Sequence, residues 1–211
     1  MYVRHKNKLP WAVVTQKRRR KNMRFMEERI LKDGQVRPGD ILKVDSFLNH
    51  QLDVAFLAEA GKAFYEHFGG HGINKILTVE ASGIALSCMA AQYFQIPVLF
   101  AKKAKSRNLD NDLYTAVARS YTYGIDNTLT VSKRFLTSDD HVLIMDDFLA
   151  NGNAVGGLLD LCAQAGASVA GIAIAIEKGY QGGGDALRFK GYDVFSLAII
   201  DEMNESGIRF R

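Results

Sequence analysis

Residues 169–176 read Val-Ala-Gly-Ile-Ala-Ile-Ala-Ile, eight apolar or small positions in a row. No polar residue alternates with them, so a strand built from them must be covered on both faces. Such strands belong to parallel sheets, whose crossover connections lay helices over each side. The run is far too short to span a bilayer, and no membrane partner is expected. The flanking chain agrees. Strands are predicted at 41–44, 75–79, 98–101, 141–146 and 194–199, and helices at 52–68, 84–94, 154–165 and 185–189. A first helix begins at Met23, with Phe25, Met26, Ile30 and Leu31 at helical spacing, and ends at Asp33-Gly34. Residues 45–51 read as an ordered loop and 102–112 as a polar one, while 113–123 and 128–132 alternate as an antiparallel pair. Strand alternates with helix through the centre, which predicts an α/β fold: a central, mainly parallel sheet flanked by helices. In such sheets ligands bind beyond the carboxyl ends of the strands.

The length of 211 residues, with 47% hydrophobic and 24% charged, suits one domain with a sizeable core and excludes a largely disordered chain. Two cysteines, Cys88 and Cys162, cannot build a disulfide framework or a zinc ribbon, and both are expected to pack on apolar helix faces. His50, His67, His71 and His141 lack metal-ligand spacing. The net charge of +4 is unevenly placed. Residues 1–22 hold eight basic residues and no acid, and the other 189 hold 19 basic and 23 acidic ones. Two domains of the sequence are therefore expected: a basic leader over 1–22 and a mildly acidic domain over 23–211. The six apolar residues from Leu9 to Val14 are too few for a secretory signal, so a cytoplasmic location is expected. The basic stretch at Lys17, Arg18, Arg19, Arg20 and Lys21 could serve a nucleic-acid or membrane-surface arm. A simpler reading takes Met23 as the natural start and 1–22 as translated upstream sequence. Arg18-Arg19-Arg20, written in AGG codons, would spell a purine-rich ribosome-binding sequence two codons ahead of Met23.

The segment with the most chemistry is Val142-Leu-Ile-Met-Asp146-Asp147-Phe-Leu-Ala150-Asn151-Gly152-Asn153-Ala154. Four apolar residues end in paired carboxylates, a loop of small residues follows, and then a helix. This order puts Asp146 and Asp147 at the carboxyl end of a strand beside a helix N-terminus. Small side chains at Ala150, Gly152 and Ala154 let backbone N–H groups approach a phosphate closely. Two carboxylates beside such an anion site suit the vicinal hydroxyls of a ribose. An acidic helix cap would share the Asp-Asp pair, but not the whole ordered pattern.

This segment resembles the phosphoribosyl pyrophosphate (PRPP) motif of the type I phosphoribosyltransferases. Leu42-Lys-Val-Asp-Ser-Phe-Leu-Asn49-His-Gln51 and Glu177-Lys178 are similar to segments of the bacterial subfamily that uses xanthine, and the likeness runs from Met23 to about Glu205. The resemblance implies a type I phosphoribosyltransferase fold with a small N-terminal hood, a homodimer, PRPP and xanthine as substrates, and Mg²⁺ as cofactor. It implies that Ala150, Asn151, Gly152, Asn153 and Ala154 bind the 5-phosphate and that Asp146 and Asp147 hold the ribose hydroxyls. Leu42 and Asn49 would contact the purine, and Lys178 would face its exocyclic oxygen. Tyr180 would stack on the base, with an ordinary surface tyrosine as the alternative reading. Glu80-Ala81-Ser82-Gly83 would hold pyrophosphate through Ser82 and Gly83. The family usually has Ser where Ala81 stands, so only backbone binding is implied there. Lys103 and Lys105, with Lys102, precede the polar loop and would balance pyrophosphate charge. The family often has His where Ala104 stands. No residue is an obvious general base. Two other readings share the resemblance: a PRPP-sensing purine regulator, and a transferase for hypoxanthine or guanine. The regulators carry a winged helix ahead of this fold, and 22 residues are too few for one.

Overall fold

The computed structural model describes residues 24–104, 112–118, 127–204 and 207–211. The leader, Met23 and Lys105 lie outside them. Helix α1 (residues 24–33) leads into a hairpin of β1 (Gln35–Arg37) and β2 (Ile41–Lys43), then a π-helical turn over Asp45–Asn49. Helix α2 (Val54–Phe68) starts two residues later than the periodicity predicts. The Asp53 carboxylate accepts from the Phe56 N–H at 3.1 Å and so sets the start. The same carboxylate takes a 2.8 Å ion pair from Arg29, whose guanidinium covers the rings of Phe47 and Phe56. One arginine thus joins α1, the π-helical turn and α2 into a hood.

The chain then alternates: β3 (Lys75–Val79), α3 (Ser82–Phe94), β4 (Val98–Ala104), β5 (Leu113–Ala118), β6 (Asn127–Ser132), β7 (His141–Leu149), α4 (Asn153–Ala165), β8 (Ser168–Lys178), α5 (Gly183–Phe189), β9 (Val194–Asn204) and β10 (Gly207–Phe210). Among the described residues eight strands form one sheet in the order β10-β9-β8-β7-β3-β4-β6-β5. The central pairs β9-β8, β8-β7, β7-β3 and β3-β4 are parallel, and the pairs involving β10, β6 and β5 are antiparallel. The mainly parallel α/β expectation holds. Among the described residues no helix is long and apolar enough to cross a membrane.

Side chains of the central strands alternate between two cores. Ile76, Leu143, Met145, Ala173 and Ala175 pack with the hood, α2 and α3. Leu77, Val142, Ile144, Ile172 and Ile174 pack with α4 on the other face. The apolar run at 169–176 is the middle of β8, and both cores draw on it.

Three expectations need correction. Strand β7 does not stop at Asp146 but runs on through Leu149, because β8 continues beside it and pairs Phe148 with Ile176 and Leu149 with Glu177. Its other neighbour, β3, pairs no further than Leu77 with Ile144. The two acids therefore lie within the strand, past the point where one neighbour falls away. Strand β4 continues to Ala104 because β6 pairs with it from Lys102 onward. Cys88 is exposed, and only Cys162 packs in the interior, where burial pushes its thiol up to about 12.

Candidate active site

The connection from β3 through α3 runs to β4 on one side, and the connection from β7 through α4 runs to β8 on the other. The strand order therefore reverses between β3 and β7, which opens a crevice at their carboxyl ends. The ends of β3, β7 and β8 deliver three of the expected segments to this crevice: Glu80 to Gly83, Asp146 to Ala154, and Lys178.

Asp146 and Asp147 are both buried. Asp147 follows Leu143 and Met145 on the hood side of the sheet. There Asn49, at the end of the π-helical turn, donates to its Oδ2 at 3.4 Å. A residue expected at the purine is thus joined to one expected at the ribose. The Asp147 N–H donates to Asp146 Oδ1 at 3.0 Å. Burial, and then the neighbouring charge of Asp147, push the Asp146 carboxyl well above the ordinary carboxylate range, and Lys103 opposes that rise. Lys103 is brought close because its N–H donates to the Glu80 carboxylate at 2.6 Å, which ties β4 to the segment after β3.

Gly83 stands in the first turn of α3, close to Asp146. A Cβ placed there would lie 2.0 Å from Thr78 Oγ1 and 3.4 Å from Asp146 Oδ1, so only glycine lets the helix start at this depth. The Thr78 hydroxyl is fully buried and has no hydrogen-bond partner among the described residues, and nothing in its sequence context signals it. The peptide between Glu80 and Ala81 is cis.

The loop after β7 closes around a cavity of about 100 Å³ lined by Phe148 to Val155. Gly152 caps α4 with φ +88°, a left-handed conformation that glycine adopts without strain. The Asn153 N–H donates weakly to Asn151 Oδ1 at 3.4 Å, and the first turn of α4, with its helix dipole, suits an anion.

On β8 the paired expectation splits. Lys178 is half-buried, and its Nζ donates to the Asp40 carbonyl at 2.6 Å. Burial lowers its pKa. Tyr180 is exposed, and burial followed by the Asp40 charge raises its phenol. Leu42 is buried in the hood core, its backbone paired with Val36 in the hairpin. Glu177, whose side chain is 0% exposed, faces the interior instead. Its carboxylate accepts two Arg188 N–H groups at 2.8 and 2.7 Å and the Ser196 hydroxyl at 2.5 Å. It lies against Gly184, where a Cβ would meet Oε1 at 2.0 Å. The next glycine back, Gly183, donates its N–H to the Ala150 carbonyl at 3.2 Å. A Cβ there would lie 2.3 Å from that oxygen. Sequence reasoning passed over this buttress. Its one legible trace is the run Gly182-Gly183-Gly184.

The phosphoribosyl transferase domain matches residues 44–211, a span that contains the crevice, both buried carboxylates and the loop at the start of α4. The chain is 57% identical to the xanthine phosphoribosyltransferase of Bifidobacterium longum over 192 residues, covering 90% of this chain and all of that one. It is 56% identical to the xanthine phosphoribosyltransferase of Ruminiclostridium cellulolyticum over 188 residues, covering 89% and 99%. The chain belongs to the xanthine phosphoribosyltransferases. Solved structures share the fold. Adenine phosphoribosyl transferase from Trypanosoma brucei superposes with a TM-score of 0.71 at 15% identity, covering 86% of this chain and 82% of that one. The enzyme from Giardia lamblia gives 0.66 at 24%, covering 81% and 92%.

Proposed function

We propose that the crevice joins the phosphoribosyl group of PRPP to xanthine, giving xanthosine 5′-monophosphate and pyrophosphate in purine salvage. The observation that carries this reading is the run from Asp146 to Ala154, which sets two buried carboxylates beside a loop open to an anion at the switch point of the sheet. Purine N9 forms the new bond to C1 of the ribose. The C1–O bond breaks, its electron pair leaves with pyrophosphate, and the N9 proton passes to water. Positive charge develops on the sugar ring, and Asp146 and Asp147 hold the ring hydroxyls and favour that charge. The N–H groups of Ala150, Asn151, Gly152, Asn153 and Ala154 hold the 5-phosphate. Ser82 and Gly83 hold pyrophosphate through their backbone, with Lys103 and Lys105 balancing its charge.

Leu42, Asn49 and Lys178 recognise the base. An ammonium suits xanthine because it offers carbonyl oxygens where adenine offers an amino group. Among the described residues no three His, Cys, Asp or Glu side chains gather as a metal cage. A Mg²⁺ carried by PRPP would lie beside Asp146 and Asp147 and would supply charge neutralisation for the leaving pyrophosphate. A homodimer in the cytoplasm, with residues 1–22 outside the catalytic domain, completes the reading. A PRPP-dependent assay with xanthine, hypoxanthine, guanine and adenine in parallel tests it. Xanthine should give the highest kcat/KM. Tight PRPP binding without turnover of any purine would favour a sensor instead, and preference for guanine or hypoxanthine would reassign the substrate.

A further inference from the structure

The hood hairpin reaches the base side of the crevice at one point. Its strands pair Arg37 with Ile41, which leaves Pro38, Gly39 and Asp40 as the loop. Gly39 and Asp40 are both left-handed, at φ +84° and +59°. Glycine takes this conformation freely, and Asp is among the few other residues that tolerate it. Two left-handed residues in succession turn the hairpin tip toward the end of β8, where the Asp40 carbonyl accepts from Lys178 Nζ at 2.6 Å. An ammonium has three donors and no acceptor. The carbonyl takes one and fixes the direction of the other two. It also adds partial negative charge beside a half-buried cation that has lost part of its hydration.

We infer that the left-handed backbone of Asp40 is a specificity device: its carbonyl orients the Lys178 ammonium so that the remaining donors face the exocyclic oxygen of the purine. The inference rests on the reading of Lys178 as the base contact. Asp40 is a positioning residue, since it acts through Lys178. Its effect belongs to the base and not to PRPP, because the carboxylate pair lies on β7, one strand away, and the phosphate loop follows that strand.

The test compares Asp40→Gly, Asp40→Val and Lys178→Ala in steady-state assays that vary xanthine and PRPP separately. Glycine keeps the left-handed turn and the carbonyl, so Asp40→Gly should leave both KM values within about twofold. Valine opposes the left-handed turn, so Asp40→Val should raise the KM for xanthine about tenfold, the loss expected for one displaced charge-assisted hydrogen bond. Its KM for PRPP should stay within about twofold. A xanthine KM unchanged in Asp40→Val, alongside a raised one in Lys178→Ala, overturns the role of Asp40 alone. Equal rises in Asp40→Gly and Asp40→Val also overturn it, because they would assign the effect to the side chain. No change in Lys178→Ala overturns the base-contact reading beneath it.

Discussion

Asp146 is 5% exposed and lies beside a second carboxylate, so its ionised form is disfavoured twice. Its folded-state pKa is raised above the unfolded one. The group therefore contributes no penalty below the ordinary carboxylate range, and folding loses stability as pH rises from there toward the folded pKa. Asp146→Asn removes that loss. It should raise Tm at pH 7.5, with the gain shrinking as pH falls into the ordinary carboxylate range. A gain that does not vary with pH in thermal melts would contradict the stated cause. The cost is tolerable in a reaction that develops positive charge next to this position. The pairing of the two acids ahead of a small-residue loop and a helix was legible from the ordered motif. The raised carboxyl of Asp146 was not, since it comes first from burial, with α3 packed close at Gly83, and then from the Asp147 charge.

The elements are held to the crevice by contacts that cross between them. The Glu177–Arg188 pair joins β8 to α5, and Gly183, the first residue of α5, donates to the Ala150 carbonyl of the loop after β7. Arg188→Met would leave a fully buried carboxylate without its cation. Breaking such a pair costs about 3–5 kcal/mol, readable by urea unfolding at pH 7. A cost below about 1 kcal/mol would show that the pair carries little. Elements with their own periodicity, α2, α3, α4 and β8, were legible nearly to their ends. The hairpin strand β1, at three residues, and β10, at four, carry too short a pattern to signal themselves. The extension of β7 past Asp146 was hidden for another reason. Two carboxylates argue against a strand locally, and only the continued pairing with β8 overrides them.

Across the chain, the charge divides between a leader of eight basic residues and a domain with 19 basic and 23 acidic ones. The anion sites proposed here use backbone N–H groups, a helix N-terminus and single lysines, so they do not depend on net charge. Deleting residues 2–22 should therefore leave kcat/KM for both substrates within about twofold of the full chain at 0.15 M salt, where the Debye length is about 8 Å. A tenfold fall would instead make the leader part of the working protein. The hood acts over a similar span. Asn49 and Asp40 are separated from their partners Asp147 and Lys178 by 98 and 138 residues, yet both pairs meet at the crevice.

The amino-acid order alone was enough for the alternation of strand and helix, the double-sided burial of β8, and the acid pair followed by a small-residue loop and a helix. Each is a local pattern of side-chain polarity and size, and local patterns are written in adjacent residues. Tertiary structure decided which strands neighbour one another, how far β7 runs, that Glu177 turns inward, and that Lys178 reaches the left-handed hairpin tip at Asp40. Those outcomes depend on burial and on hydrogen bonds between residues distant along the chain. No short window of sequence contains both partners.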